Sequence, residues 1–128
     1  MADQGSMNGQ FSWNELVTTD VAKAGEFYTK LLGWSTQDMP MPTGAYTIFK
    51  QGEDMVGGMF QITPEMGQVP PMWCGYITVA NVDESAKKAE ELGAKIIVPP
   101  MDIPTVGRFC TITDPTGAAV SLITYLPR

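Results

Sequence analysis

Residues 11–33 read FSWNELVTTDVAKAGEFYTKLLG, and residues 73–93 read WCGYITVANVDESAKKAEELG. Each stretch opens on an alternating run of the kind that forms a half-buried strand. A short polar residue then stands at the start of a helical pattern, Asp20 in the first stretch and Asn81 in the second. Both side chains suit an N-cap, because their oxygens can accept a backbone N–H of the first turn. Apolar residues follow at helical spacing, Val21, Ala24, Phe27, Tyr28, Leu31 and Leu32 against Val82, Ala86, Ala89 and Leu92, as expected of helices that pack on a sheet. Gly33 and Gly93 are placed to end them.

The likeness extends outward. Beyond Gly33 come Trp34 to Gln37, a Pro/Met loop from Met39 to Gly44, a strand from Ala45 to Lys50, a turn, and a strand from Met55 to Ile62 carrying Gly57-Gly58. Beyond Gly93 come a strand from Ala94 to Val98, a second Pro/Met loop from Pro99 to Thr105, and a strand from Arg108 to Thr113. The turn Asp114-Pro115-Thr116-Gly117 then leads into a closing strand, Ala118 to Tyr125. A Pro-rich linker ending at Pro70-Pro71 separates the halves, and the offsets agree: 61 from Asp20 to Asn81, 60 from Gly33 to Gly93, 63 from Tyr46 to Phe109. The order predicts an α+β chain of two tandem βαβββ modules, about 11–64 and 71–126, behind a flexible leader at 1–10. Units of about 60 residues are too small to be stable alone, so each should lean on its twin.

Composition sets the limits on function. The chain has 128 residues, 44% of them hydrophobic, and no histidine. Without imidazole there is no Ser-His-Asp or Cys-His arrangement, no HExxH zinc site and no histidine base. The net charge is −6, spread as −4 before Pro64 and −2 after it. No basic stripe exists for nucleic acid or an anionic membrane surface. The polar N-terminus lacks a signal-peptide pattern, no run reaches the roughly 20 apolar residues of a membrane span, and a cytoplasmic protein is expected. Cys74 and Cys110, far apart and in apolar stretches, read as two reduced, packed thiols.

With the repeat in place, WNELVTTD, EFYTKLLGW, GYITVANVDES, ELGAKI and PPMDIPTVGRFCTITDPTGAAVSL together resemble the glyoxalase/bleomycin-resistance/dioxygenase group, also called the vicinal oxygen chelate superfamily. The likeness runs from Phe11 to Leu126. It implies a curled mixed sheet around a cup-shaped cavity, with one metal ligand on each of four strands, usually His, Glu or Gln. Those positions fall on Trp13, seven before the helix cap, on Cys74 by the same count, and on Ser121, seven beyond the Asp of the DPTG turn. The fourth lies in the stretch from Gly58 to Gln61, its register open; there Gln61 could ligate and Gly58 and Met59 could not. Tryptophan binds no metal, and a thiol, a hydroxyl and one amide make a poor set. The reading is therefore no metal and no cofactor, and the metal-dependent glyoxalase and dioxygenase reactions are not expected.

Strand alternation sorts the lining of the cup. With Trp13 facing in, Phe11, Glu15 and Val17 face in too, and Leu16 and Thr18 face the helix. Cys74, Tyr76 and Thr78, with Ala119, Ser121 and Ile123, are their counterparts. The candidate ligand contacts are Trp13, Glu15, Tyr46, Met59, Gln61, Cys74, Tyr76, Arg108 and Ser121. Glu15 is the candidate general base; at the rim it would be solvated, and buried it needs a partner or a raised pKa. Tyr76 either contacts ligand or ties its hydroxyl to a carbonyl, and Arg108 either clamps an anion or makes a surface ion pair. Met39, Met41, Met66, Met72 and Met101 crowd the connections, which suits a varied apolar ligand or a subunit interface, and the resemblance implies a homodimer. Three functions stay open: a binding protein for a small hydrophobic or aromatic molecule, in sequestration, resistance or sensing; a lyase or isomerase using Glu15 with Tyr76 or Arg108; and a protein-interaction module whose cup is filled by its own side chains.

Overall fold

In the computed structural model, which describes residues 8–41, 44–64 and 70–127, both predicted caps form. The Asp20 carboxylate accepts the Lys23 N–H at 3.0 Å, and the Asn81 side chain accepts the Glu84 N–H at 3.1 Å. Gly33, left-handed at φ 73°, closes the first helix by donating to the Thr29 carbonyl. The elements run β1 (Phe11–Thr18), α1 (Val21–Leu32), β2 (Ser35–Met41), β3 (Gly44–Gln51), β4 (Asp54–Gln61), β5 (Met72–Thr78), α2 (Val82–Glu91), β6 (Lys95–Ile103), β7 (Gly107–Thr113) and β8 (Ala119–Tyr125). This is an α+β chain of two βαβββ modules.

The two modules repeat one topology within a single strand order. Strand order is β2-β3-β4-β1 in the first and β5-β8-β7-β6 in the second. In each, the first and last strands of the module pair in parallel and the remaining pairs are antiparallel. The register also repeats. Glu15 lies opposite Gly58, and Gly58 opposite Ile48; Tyr76 lies opposite Ser121, and Ser121 opposite Thr111. Those rows are offset by 61 residues in the opening strand and 63 in the other two, close to the spacing read from the caps and turns.

Each helix covers one face of its own module's strands. Leu16, Phe49 and Met59 are buried beneath Val21, Ala24 and Tyr28 of α1, while Cys110, Ile112 and Leu122 are buried with Val82 and Ala86 of α2. Tyr28 takes the seat on the first sheet, stacked on Trp34 and edge-on to Phe49 and Trp73, and its hydroxyl accepts the Trp73 indole N–H at 3.0 Å. The apolar stripe is wider than that seat. Phe27, Leu31 and Leu32, expected to pack on the sheet, are instead 56%, 62% and 45% exposed.

Two expected loops are strands. β2 runs on through Met39 and Pro40, paired with Tyr46 and Ala45, and β6 runs through Pro99 and Pro100 to Ile103 with two register shifts. Both are the outer strands of their modules, where a proline's missing N–H costs no ladder bond. Pro42 and Thr43 of the first loop, most of the Pro-rich linker, and Met66 lie outside the described residues.

By contacts the chain divides into two compact units, one spanning Trp13–Cys74 and the other made of Gly75 onward with the residues through Ser12. The boundaries thus fall inside β1 and β5. The Gly9 N–H donates to the Thr78 carbonyl at 2.7 Å, and the Gln10 carbonyl accepts the Thr78 N–H at 2.9 Å. The end of the stretch read as a leader is therefore bonded to β5; residues 1–7 lie outside the described residues. Among the described residues, no helix is long and apolar enough to cross a membrane.

Candidate functional site

The first module concentrates polar groups on the face of its sheet away from α1. Residues paired across neighbouring strands share a face, so Glu15, Gly58 and Ile48 stand in one row, with Trp13, Val17, Tyr46 and Phe60 on the same side by alternation. Glu15 is 8% exposed, which answers the rim-or-buried question: its carboxylate is inside. It has a partner there. The Tyr46 hydroxyl donates to Glu15 Oε2 at 2.8 Å, and the Trp13 indole N–H donates to the Tyr46 oxygen at 2.9 Å. The result is a directed chain, Trp13 to Tyr46 to Glu15. Phe60 flanks it, its ring 6.5 Å from that of Tyr46 at an angle of 30°.

Gly58 makes room for this chain. A Cβ built on Gly58 would fall within the Tyr46 hydroxyl, with ring Cε1 only 2.6 Å away. Tyr46 can cross the sheet there because position 58 carries no side chain. The sequence does hold a signal for this. A glycine inside a strand pattern marks a bulge or a close approach, and Gly57-Gly58 was such a pair, but its partner lay on another strand. Phe60 and Ile48 complete the wall and were not foreseen.

The repeated register also fixes the position left open on β4. Ser121 of β8 has Gly58 as its counterpart, since each pairs with the equivalent residue of its module's opening strand. Met59 and Gln61 point elsewhere. Met59 is buried under α1 with Leu16 and Phe49, and Gln61 ties down the start of that helix, donating to the Thr19 carbonyl and accepting the Val21 N–H. Both expected ligand contacts therefore serve the helix face, because each lies one residue out of phase with Gly58 and Phe60.

In the second module, Tyr76 and Ser121 are buried in the corresponding row. Ser121 is 1% exposed, its hydroxyl 2.7 Å from that of Thr111, and Tyr76 packs against Phe109 at 6.1 Å. Cys74 and Cys110 are both buried and neither is in a disulfide. Burial pushes the Cys110 thiol up, away from nucleophilic character. Arg108 takes the surface alternative. Its guanidinium grips both oxygens of Asp83, at 2.8 and 3.1 Å, and reaches Asp102 at 3.1 Å. Those bonds hold the Asp83 carboxyl below its ordinary value and raise Arg108 further. Both carboxylate partners of Arg108 lie in its own unit.

The four family ligand positions are thus Trp13, Gly58, Cys74 and Ser121, and this donor set does not fit a metal. Trp13 has only an N–H, already given to Tyr46; Gly58 has no donor atom; the Ser121 hydroxyl is engaged by Thr111. Among the described residues, no group of three or more His, Cys, Asp or Glu is placed to hold a metal ion.

Compared with known proteins, residues 10–122 match the family described as Glyoxalase/Bleomycin resistance protein/Dioxygenase superfamily. The chain belongs to this superfamily. Among its superfamily relatives, "Putative glyoxylase CFP32" of Mycobacterium tuberculosis (strain CDC 1551 / Oshkosh) is 38% identical over 117 residues, covering 89% of this chain and 45% of that protein. "Anthracycline biosynthesis protein DnrV" of Streptomyces peucetius is 32% identical over 127 residues, covering 89% of this chain and 46% of that protein. The chain spans about half the length of the curated relatives it matches. Among solved structures, hypothetical protein BH1468 from Bacillus halodurans C-125 aligns with a TM-score of 0.68 at 11% identity, covering 93% of this chain and 96% of that one. Methylmalonyl-CoA epimerase from Mycobacterium tuberculosis aligns with a TM-score of 0.62 at 12% identity, covering 95% and 91%. At such identities these two speak for the superfamily fold alone.

Proposed function

We propose that this chain is a metal-free, cytoplasmic member of the superfamily that binds a small hydrophobic or aromatic molecule on the Trp13–Tyr46–Phe60 face of its first module, in sequestration, resistance or sensing. The observation that carries the reading is the chain from Trp13 through Tyr46 to the buried Glu15. Small-molecule sites combine apolar and aromatic walls with a few fixed polar groups, and this face has that composition. A carboxylate kept inside a sheet face costs stability unless it is bonded. Holding one against a phenol is the kind of expense that marks a site. The name of the Streptomyces relative makes anthracycline-like polycyclic aromatics the first compounds to try.

The test is a thermal-shift screen of aromatic, dicarbonyl and antibiotic-like compounds on wild type and Trp13→Ala. Binding stabilises the folded chain by mass action, by about 2.7 kcal/mol at a hundredfold excess over Kd, and so raises its melting temperature. A hit that is lost in Trp13→Ala supports the reading, and no hit across the panel refutes it. Metal analysis of protein purified without chelator bears on the metal-free part, which a stoichiometric divalent ion would overturn.

A second reading has one observation behind it. Glu15 accepts the Tyr46 proton at 2.8 Å, a geometry that suits proton transfer between substrate and carboxylate through the phenol. A lyase or isomerase built this way loses turnover but keeps binding in Glu15→Gln. The homodimer is likewise a proposal, and sedimentation at micromolar concentration decides it: a monomer rules it out.

A further inference from the structure

The two helices repeat one element, but with their outer charges inverted. The caps Asp20 and Asn81 set the offset at 61 residues. At that offset Lys23 of α1 corresponds to Glu84 of α2, Glu26 to Lys87, and Lys30 to Glu91. Every charged residue of α1 thus has the opposite charge at its equivalent position in α2. Spacings of three and four residues keep each trio along one side of its helix, and all six residues are exposed. Apolar side chains stand beside them. Phe27 and Leu31 are 56% and 62% exposed, and with Lys23, Glu26 and Lys30 they line a shallow open groove along α1. Leu92, the counterpart of Leu31, is 69% exposed just past the end of α2. Exposed apolar strips rimmed by polar residues mark interaction surfaces.

We infer that α1 of one copy of this chain docks on α2 of a second copy, its charges matched to theirs. The inference rests on the self-association proposed above and names the two surfaces that make it. The inversion singles out this pairing from the alternatives. Two α1 helices laid antiparallel set Lys23 against Lys30, and laid parallel they set each charge against its own kind. Two α2 helices do the same with Glu84 and Glu91. Only α1 against α2 matches in either direction. Lys23 meets Glu84 or Glu91, Lys30 meets the other, and Glu26 meets Lys87 or its neighbour Lys88. Laid parallel, the contact also sets Leu31 on Leu92 and Phe27 on the apolar stem of Lys88. Lys30 holds Glu26 within α1 at 2.6 Å, with the two groups 74% and 65% exposed, so exchanging that bond for a partner's charges costs little. Repulsion between two chains of net charge −6 is largely screened beyond about 8 Å at physiological salt, whereas pairs partly covered by an interface are screened much less.

The experiment reverses the charges of one helix at a time and follows self-association of the whole chain by sedimentation at micromolar concentration. One variant carries Lys23→Glu with Lys30→Glu on α1, and the other carries Glu84→Lys with Glu91→Lys on α2. Each alone is expected to weaken self-association by about tenfold or more, since like charges then face each other across the contact. An equimolar mixture of the two should restore it, because the altered α1 of one chain meets the altered α2 of the other. The α2 variant is the stringent arm. It brings the net charge closer to zero, which eases general repulsion, so weakened association there points to the lost match. Self-association that neither variant weakens overturns the helix pairing and leaves the self-association standing, as does a mixture that stays apart when both variants are apart. Wild type that sediments as a monomer overturns the self-association, and the pairing with it. Zero-length crosslinking of light with isotopically heavy wild type needs no variant to fold. Links from Lys23 or Lys30 of one copy to Glu84 or Glu91 of another are expected, and an associated chain that forms its links elsewhere overturns the pairing.

Discussion

Gly58→Ala is the sharpest perturbation the structure offers. The new methyl group would fall within the Tyr46 hydroxyl and lie 2.6 Å from ring Cε1, well inside the ordinary carbon–carbon contact of about 3.5 Å. The obstruction is the far end of a side chain, so the ring can swing away and the fold can survive. In swinging, Tyr46 gives up its bond to Glu15 and the one it takes from Trp13. A hydrogen bond to a charged group is worth about 1.5–3 kcal/mol and a neutral one about 1. Water at this half-buried ring returns part of that, and replacing a strand glycine returns roughly 0.5–1 kcal/mol. The net loss is about 2 kcal/mol, a fall of roughly 6–10 °C in melting temperature for a domain of this size. Urea unfolding or calorimetry measures it, and a double-mutant cycle with Tyr46→Ala isolates the cause. In the Tyr46→Ala background the methyl meets no ring, so Gly58→Ala should there be neutral or mildly stabilising. An equal loss in both backgrounds would refute the reasoning, because the cost would then lie in the strand and not in the tyrosine.

The remaining predictions rest on other parts of the chain. Gly25 lies within α1, and a Cβ there meets only the Met59 methyl at an ordinary 3.6 Å; Gly25→Ala should therefore stabilise by about 1 kcal/mol, read as a raised urea midpoint. Asp114 accepts from the Thr116 hydroxyl and from the Ala118 and Thr116 N–H groups of the DPTG turn, and these bonds lower its pKa from the ordinary 3.8. A carboxylate with a depressed folded pKa contributes stability that is complete above its unfolded value and lost as pH falls through its folded one. The advantage of wild type over Asp114→Asn should accordingly hold from neutral pH down to about 4 and shrink below that; an advantage unchanged at pH 2 would contradict the assignment. Ser121→Ala breaks the hydroxyl pair with Thr111 and should cost about 1 kcal/mol, read as a lowered urea midpoint.

Most of the fold was legible because its signals are local. Asp20, Asn81, Gly33 and Gly93 act within a turn of where they stand, and alternation in β1 assigned Glu15 and Leu16 to opposite faces without knowledge of any partner strand. What escaped depended on neighbours far along the chain. Pro40 and Pro99 read as loop until β2 and β6 are known to be edges. Leu31 read as core until Tyr28 is seen to fill the seat on the sheet. The candidate site shows the same division. Trp13, Glu15 and Tyr46 were each named from their own strands, but not the bonds joining them, since those cross 31 and 33 residues of sequence. For Arg108 the sequence left an anion clamp and a surface ion pair both open, because Asp83, its partner, lies 25 residues away on another element.

The duplication supplies a comparison within the molecule that sharpens the functional argument. The row Tyr76–Ser121–Thr111 and the row Glu15–Gly58–Ile48 occupy equivalent register positions, so the backbone asks the same of both. The second row pairs two of its polar groups with each other. The serine and threonine hydroxyls meet at 2.7 Å and Ser121 is 1% exposed, which is how a sheet satisfies polar groups it means to bury. The first row carries a carboxylate, which is costly to bury, beside a glycine, which weakens a strand. Neither choice serves stability, and Tyr and Ser in the twin show that the topology does not require them. Two unfavourable residues opposite each other, bridged by a tyrosine across the glycine, are what the proposed binding face would account for. The proposed binding face lies in the first module, and the second shows what the same row looks like with Tyr76 and Ser121 in place of the carboxylate and the glycine.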